Sequence, residues 1–326
     1  MAVALPCSHA GSGSAPCADA DGDVVRETPV TVPARDGYAL AGTLYEREDA
    51  ASAAEVVVFN AGGGIAAARY RHFLRYLASR GVPTLAYDYR GVGRSAPARR
   101  RGFDAGVEDW AELDQAAALD YMHRRHPRAR LGSVSHSIGC MVAAAAPNAR
   151  LVEQFVFIAP HTAYWGDYRQ PWRWPMAFVW HVFMPAAARI VGYFPASWFG
   201  LGDDFPRRVA LQWAARTTPH FSLGAYGGDA PREFALIGRL SESTGAALVM
   251  SSVDDAFASD RAIRRFVMSA PRLRLVRRNA VARGARSQSA HWAFFRRKHA
   301  VDWQVVVDFL GRQPGSYAVA DEWIVD

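Results

Sequence analysis

Lysine is nearly missing from this 326-residue chain: of 38 basic residues only Lys298 is a lysine, and the others are arginine. In an alanine-rich text this looks like the codon usage of a GC-rich genome rather than selection for a polyanion. The net charge of +7 and pI near 9.6 therefore do not argue for a nucleic-acid partner. The densest basic run, Arg99-Arg100-Arg101, is short, and no continuous basic face with interleaved stacking aromatics follows it. Cysteine is scarce too. Cys7, Cys17 and Cys140 cannot build a disulfide framework, and the first two lie in a Gly/Ser/Ala stretch, so a reducing, cytoplasmic setting is expected. Long apolar runs are also lacking. The nearest, Trp174 to Val191, is broken by His181, Pro185 and Arg189, whereas a membrane span needs about 20 residues with few polar interruptions. It reads as a buried or lid helix, and no transmembrane segment is expected. Met1 to Pro6 has no basic flank and is too short for a signal sequence. No pair of histidines has metal spacing, Cys7/His9/Cys17 is a chance grouping in the tail, and no Glu closes a calcium loop on Asp19, Asp21 and Asp23. Neither a metal nor a cofactor is expected.

What is present is an ordinary globular composition, half hydrophobic, long enough to bury a large core without covalent staples. Residues 1–24 carry no apolar period and read as a flexible tail. Beyond them strands and helices alternate. Val30–Val32 and Tyr38–Tyr45 form a hairpin pattern about Arg35-Asp36-Gly37. Glu55–Asn60 is an apolar strand ending at Ala61-Gly62-Gly63-Gly64, and a helix through Tyr70, Phe73, Leu74 and Leu77 stops at Gly81. Then come a strand over Thr84–Tyr89, a helix over Val107–His123, a strand over Leu131–Ser135, a small-residue helix over Ile138–Ala146 and a strand over Phe155–Ala159. The rhythm breaks over 161–230, dense in Trp, Tyr, Phe and Pro, and resumes with strands Ala246–Ser251 and Leu273–Val276 and helices near Arg261–Met268 and Trp303–Leu310. This is an α/β pattern: a mostly parallel central sheet with helices on both faces. The core is expected over 25–160 and 231–326, with 161–230 as a helical, aromatic cap over the sheet's carboxyl edge, where open α/β folds bind ligands.

Ser135-His136-Ser137-Ile138-Gly139 lies between an apolar strand and a helix of small residues. A sharp strand-to-helix turn tolerates only small side chains two before and two after a nucleophile, which marks Ser137. The following helix N-terminus would offer backbone N–H groups to an oxyanion. The glycines of the 60–64 loop would allow a second donor close approach; with no Gly-Lys-Ser/Thr after them, they are not a phosphate loop. A serine needs a base and the base an acid partner, in the chain order nucleophile, acid, base. Asp254 and Asp255 follow one late strand and His291, in Ser289-Ala290-His291-Trp292, follows the next. His161 could reach the site from its strand end as a substrate contact. His136, next to the nucleophile, is expected to point elsewhere on the turn.

On these motifs the chain resembles the α/β-hydrolase superfamily, and within it a bacterial esterase- and lipase-like group. The resemblance runs from about Val30 to Leu310. It also rests on Asp88-Tyr89-Arg90-Gly91-Val92-Gly93-Arg94-Ser95, Tyr164-Trp165, Gly192-Tyr193-Phe194-Pro195 and Phe294-Phe295-Arg296. It implies a serine hydrolase acting on an ester-type bond through an acyl-enzyme, with Ser137 as nucleophile and His291 as base. The family's spacing gives Asp255 as the acid, with Ser259 where proline is often found, while Asp254 stays open. Ser135 and Cys140 depart from the usual glycines. The implied oxyanion donors are the N–H groups of Gly62 and Ile138. The substrate would be a small molecule with an apolar acyl or alcohol part, touched by Trp165, Tyr193 and His161. Amide or thioester cleavage, acyl transfer, and a non-catalytic binding role on the same fold remain alternatives, and the oligomeric state is open.

Overall fold

The structure is a computed structural model that describes residues 17–18, 24–48, 53–217, 230–252, 254–280 and 290–312. Its strands are β1 (Cys17–Ala18), β2 (Val24–Pro33), β3 (Ala39–Arg47), β4 (Glu55–Asn60), β5 (Thr84–Tyr87), β6 (Arg130–His136), β7 (Val152–Ile158), β8 (Tyr193–Phe194), β9 (Phe205–Pro206), β10 (Gly245–Ser252) and β11 (Leu273–Ala280). Nine of them form one sheet in the order β1-β2-β3-β5-β4-β6-β7-β10-β11, and β8 pairs with β9 apart from it. The β1–β2, β2–β3 and β3–β5 ladders are antiparallel, and every ladder from β5 to β11 is parallel.

The apolar runs explain the layering. Val56, Val57, Val58 and Phe59 of β4 are all fully buried, which requires cover on both sheet faces. The helices Arg71–Ser79, 107–125, Asp260–Met268 and Gln304–Leu310 supply part of that cover. Gly81, at φ +80°, takes the left-handed position just past the first of them. The 107–125 helix contains a π turn, Trp110–Gln115, and its Trp110 stacks on Tyr89 at 4.6 Å. The Asp88 carboxylate accepts the N–H groups of Ala67 (2.7 Å) and Arg94 (2.9 Å), fastening the Asp88–Ser95 loop to the segment after β4.

The α/β reading and its element order hold; most boundaries move by a few residues, and the largest shift is at the start of the sheet. The first hairpin strand begins at Val24 rather than Val30, because polar Arg26, Glu27 and Thr28 hide its period. Cys17 and Ala18, read as tail, pair with Val25 and Val24. The rest of 1–23 lies outside the described residues, as do 218–229.

Between β7 and β10 the chain leaves the sheet. A helix over 173–191, interrupted by the π turn Val179–Phe183, is followed by the small β8–β9 pair and the helix Arg207–Ala214. Ser137, His161 and Asp255 all follow the carboxyl ends of parallel strands, β6, β7 and β10 respectively.

Candidate active site

Ser137 sits between β6 and the helix Gly139–Ala144 with φ +56°, in the left-handed region that costs a non-glycine residue roughly 1–2 kcal/mol. The strain is held by neighbours. The Ser137 N–H donates to the Ile158 carbonyl at 3.0 Å, and the Cys140 N–H donates back to the Ser137 carbonyl at 3.1 Å. Two residues on, glycine is obligatory: a Cβ at Gly139 would lie 2.6 Å from the Ala61 carbonyl oxygen and 2.7 Å from that of Asn60. Ser135 fits in the buried first small position, and the Cys140 thiol packs under the turn, 3.4 Å from the Ser135 carbonyl oxygen.

His291 and Asp255 meet at 2.8 Å, Nδ1 to Oδ2. The other Asp255 oxygen accepts the N–H groups of Phe257 (2.8 Å) and Ala258 (3.0 Å). Burial alone would raise this carboxyl. The His291 ring and the two backbone donors outweigh it and lower Asp255 to about 2. Asp254, half-buried, makes no such bond to His291; its N–H reaches the Ser252 hydroxyl at 3.5 Å. Ser259, in the slot where proline is common, caps the helix Asp260–Met268 by accepting the Ala262 N–H.

The Ser137 hydroxyl is bonded to a different histidine. Ser137 Oγ lies 3.1 Å from His161 Nε2, while His161 Nδ1 accepts the Ala163 N–H at 2.9 Å. Left-handed residues on either side, Ala159 (φ +52°) and Ala163 (φ +61°), turn the chain so that His161 faces the serine. Burial, then the nearby His291, lowers His161 to about 3, so the ring is neutral at pH 7. With Nδ1 accepting, its hydrogen is on Nε2, and His161 is the donor to Ser137 Oγ.

His136 was expected to point away from the site and does the opposite. It lines the same cavity as Ser137, and its Nε2 lies 3.0 Å from the His291 carbonyl oxygen. A carbonyl only accepts, so Nε2 carries the hydrogen and Nδ1 takes one from the Tyr70 hydroxyl at 2.8 Å. Tyr70 in turn accepts the Gly62 N–H at 2.8 Å. Burial holds His136 well below its ordinary pKa and Tyr70 well above, which keeps both neutral and every donor in this chain matched to an acceptor. The chain links the β4 loop to the backbone of His291. Nothing in local sequence marks Tyr70 or His136 for this, because the chain closes only in three dimensions. Rings complete the clamp: Tyr70 packs on Trp292 (4.4 Å) and Phe295 (4.7 Å).

That chain corrects one expected oxyanion donor. The Gly62 N–H is taken by Tyr70, and it is Gly63 that lines the cavity with Ser137. Neither the Gly63 nor the Ile138 N–H donates to another described residue.

Ser137, His161 and His291 open into a cavity of about 660 Å³, walled by Met176, Val179, Trp180, Trp213, Phe257 and Trp292. Trp165 and Tyr193, expected to touch substrate, are not part of this wall. Trp165 packs on Trp174 at 5.1 Å, and Tyr193 is engaged in the β8–β9 pair opposite Pro206. Among the described residues no group of three His, Cys, Asp or Glu side chains is arranged to hold a metal ion.

A mostly parallel sheet carrying a serine on a strained turn after a central strand, with a carboxylate–histidine pair after later strands, defines an α/β-hydrolase. The chain belongs to the serine aminopeptidase, S33, family of that superfamily, whose sequence profile matches residues 51–213, half of the chain. No curated protein matches the sequence. Solved structures share the fold at low identity. The esterase Pf2001 of Pyrococcus furiosus is 15% identical with a TM-score of 0.56, covering 89% of this chain and 92% of its own. The Exiguobacterium antarcticum esterase EaEST is 14% identical with a TM-score of 0.54, covering 87% and 100%. DcsB, solved with a substrate analogue, is 14% identical with a TM-score of 0.59, covering 87% and 98%. No helix among the described residues is long and apolar enough to cross a membrane.

Proposed function

We propose that this hydrolase cleaves carboxylic esters with an apolar acyl part, using Ser137 as nucleophile, His291 as base and Asp255 as the acid that orients it. The observation that carries this reading is the Asp255–His291 pair at 2.8 Å beside a serine whose oxygen already accepts a hydrogen bond from His161. With its lone pair engaged there, Oγ keeps its own hydrogen available to His291 Nε2. Asp255 holds the hydrogen of His291 on Nδ1, leaving Nε2 as the acceptor.

Attack by Oγ on the acyl carbon passes the serine hydrogen to His291. Collapse of the tetrahedral oxyanion returns that hydrogen to the departing alcohol and leaves Ser137 acylated. Water then attacks, gives a proton to His291, and the carboxylic acid leaves with serine restored. The oxyanion donors in this reading are the N–H groups of Ile138 and Gly63, each worth about 3 kcal/mol in the transition state.

The cavity wall favours an ester over a peptide N-terminus. An aminopeptidase must hold an ammonium group, and no carboxylate is among the described residues lining this cavity; its only formally charged neighbour besides histidine is Arg69. The wall is aromatic and aliphatic, which suits an uncharged acyl chain. We read 161–230 as a cap that brings Met176, Val179, Trp180 and Trp213 to this wall, and the scarcity of cysteine as support for a cytoplasmic setting. A matched panel of p-nitrophenyl esters and aminoacyl p-nitroanilides tests the choice. Faster turnover of butyrate and hexanoate esters is expected, and preferential cleavage of the anilides would replace this reading with a peptidase.

A further inference from the structure

The helix over 173–191 has two apolar faces, and the described residues cover only one of them. Met176, Val179 and Trp180 face inward and wall the cavity. On the other side Trp174, Phe178, Val182 and Ile190 stand out into solvent, with Trp174 63%, Phe178 60% and Ile190 74% exposed. Successive members are four or eight residues apart. An α-helix turns slightly past one full revolution in four residues, while the wider π turn Val179–Phe183 falls short of one, so the two drifts offset and the stripe stays on one face. The stripe continues into the loop after the helix. Trp198 is 65% exposed, and Phe199 packs on Phe183 of the helix at 4.8 Å. Leu201, also exposed, is a rim residue of the cavity itself. The patch thus runs from the outer face of the helix to the mouth of the site.

Charge says what such a face fits. From Tyr168 to Gly202 there is no aspartate or glutamate, and of the three arginines Arg169 and Arg189 are exposed, while Arg173 is half-buried and donates to the Gly166 carbonyl. A protein partner of ordinary composition gains nothing special from this bias, and a second copy would bring three more positive charges against it. An anionic lipid surface is complementary on both counts: exposed Trp and Phe suit the headgroup–acyl boundary, and arginines suit phosphate. We propose that this stripe docks the protein on anionic lipid surfaces, seating the cavity mouth at the interface so that lipid-borne apolar molecules enter from it. Docking is a property of the outer face and does not depend on the chemistry assigned to Ser137.

The test is sedimentation of the full chain with phosphatidylcholine vesicles, with and without about a third of phosphatidylglycerol. Tryptophan emission and a dye-leakage control are followed in parallel. The protein is expected to bind the anionic vesicles with a blue shift in emission. The triple variant Trp174→Ser, Phe178→Ser, Ile190→Ser should lose at least about tenfold in partitioning while hydrolysing a soluble short-chain ester as before. The double variant Arg169→Glu, Arg189→Glu should weaken binding to anionic vesicles and leave the weak partitioning into neutral ones unchanged. Failure to bind anionic vesicles overturns the proposal, as does binding that the triple variant leaves intact. A wild-type dimer in analytical ultracentrifugation that becomes monomeric in the triple variant also overturns it, because the face would then belong to a second copy. Loss of esterase activity on Ser137→Ala with vesicle binding retained would separate this proposal from the catalytic one.

Discussion

Ser137 Oγ and His161 Nε2 are 3.1 Å apart, and the backbone N–H of Ala163 on the far side of the ring makes His161 the donor of that bond. The histidine nearest the nucleophile is therefore not built to take its proton. In the proposed mechanism it orients the hydroxyl and base chemistry falls to His291, the one histidine of the three with a carboxylate on its ring. His161→Ala is expected to lower kcat by about 10- to 100-fold, and His291→Ala by about a thousandfold or more. Steady-state kinetics on p-nitrophenyl butyrate decides it. Equal losses, or a larger one at His161, would make His161 the base.

The backbone at Ser137 gives a second expectation. Ser137→Ala keeps a Cβ at φ +56°, whereas Ser137→Gly removes it. Both variants should be inactive, but the glycine variant should be the more stable by about 1 kcal/mol, because strain in the left-handed region is relieved. Thermal melts of the two proteins side by side measure the difference. If the alanine variant melts at the same temperature or higher, the turn carries no strain.

The two adjacent aspartates should separate cleanly. Asp255→Asn removes the acceptor that fixes the His291 hydrogen on Nδ1, and a loss in kcat of about three to four orders of magnitude is expected. Asp254→Asn touches no ring and should change kcat by less than about threefold. The reverse ranking would move the acid to Asp254.

Alternation of apolar runs and glycine punctuation made most of the strands legible: β4 falls at Glu55–Asn60 as expected, and the later strands follow along the chain near their expected places. Local pattern works there because each strand's burial is written in its own residues. The elbow was legible for a related reason, since Gly139 must be small where Asn60 and Ala61 approach. His136, Tyr70 and Gly62 were not. Each has an unremarkable local role, as turn neighbour, helix aromatic or loop glycine, and their hydrogen bonds join residues up to 155 positions apart. The aromatics of 161–230 were not separable in sequence, because composition shows that a segment is rich in rings and not which rings, such as Trp180 and Trp213, line the cavity.

Stability should fall on mild acidification, and the sign follows from the buried histidines. His161 is lowered to about 3 and His136 is also strongly lowered, so both stay neutral in the folded protein while the unfolded chain gains protons below its ordinary value of about 6.5. The unfolded state then binds more protons, and stability is lost as pH falls from about 6.5, by up to about 1.4 kcal/mol per pH unit for each ring. Asp255 acts in a lower window: its folded value near 2 adds stability above about 4 that is lost on descent toward 2. Urea titrations at pH 7 and pH 5 should show a shallower loss for His161→Gln than for the wild type. Parallel losses would mean that His161 is charged or exposed in the folded state.

The cavity wall makes a prediction about chain length. Trp213→Ala should raise KM for hexanoate and octanoate esters more than for acetate, by up to about 0.8 kcal/mol per methylene that loses contact. Trp165→Ala, in a ring pair away from the wall, should lower the melting temperature and leave chain-length preference alone. Swapped phenotypes would place the acyl chain against Trp165.

The most direct test of the central claim is covalent. Incubation with a fluorophosphonate and peptide mass spectrometry ask whether one serine is activated, and which. A single adduct on Ser137 is expected, formed rapidly in the wild type, unaffected by Asp254→Asn and slowed by orders of magnitude in His291→Ala and Asp255→Asn. A wild-type protein that is folded by circular dichroism yet takes no label at Ser137, or that labels equally fast without His291, would contradict it.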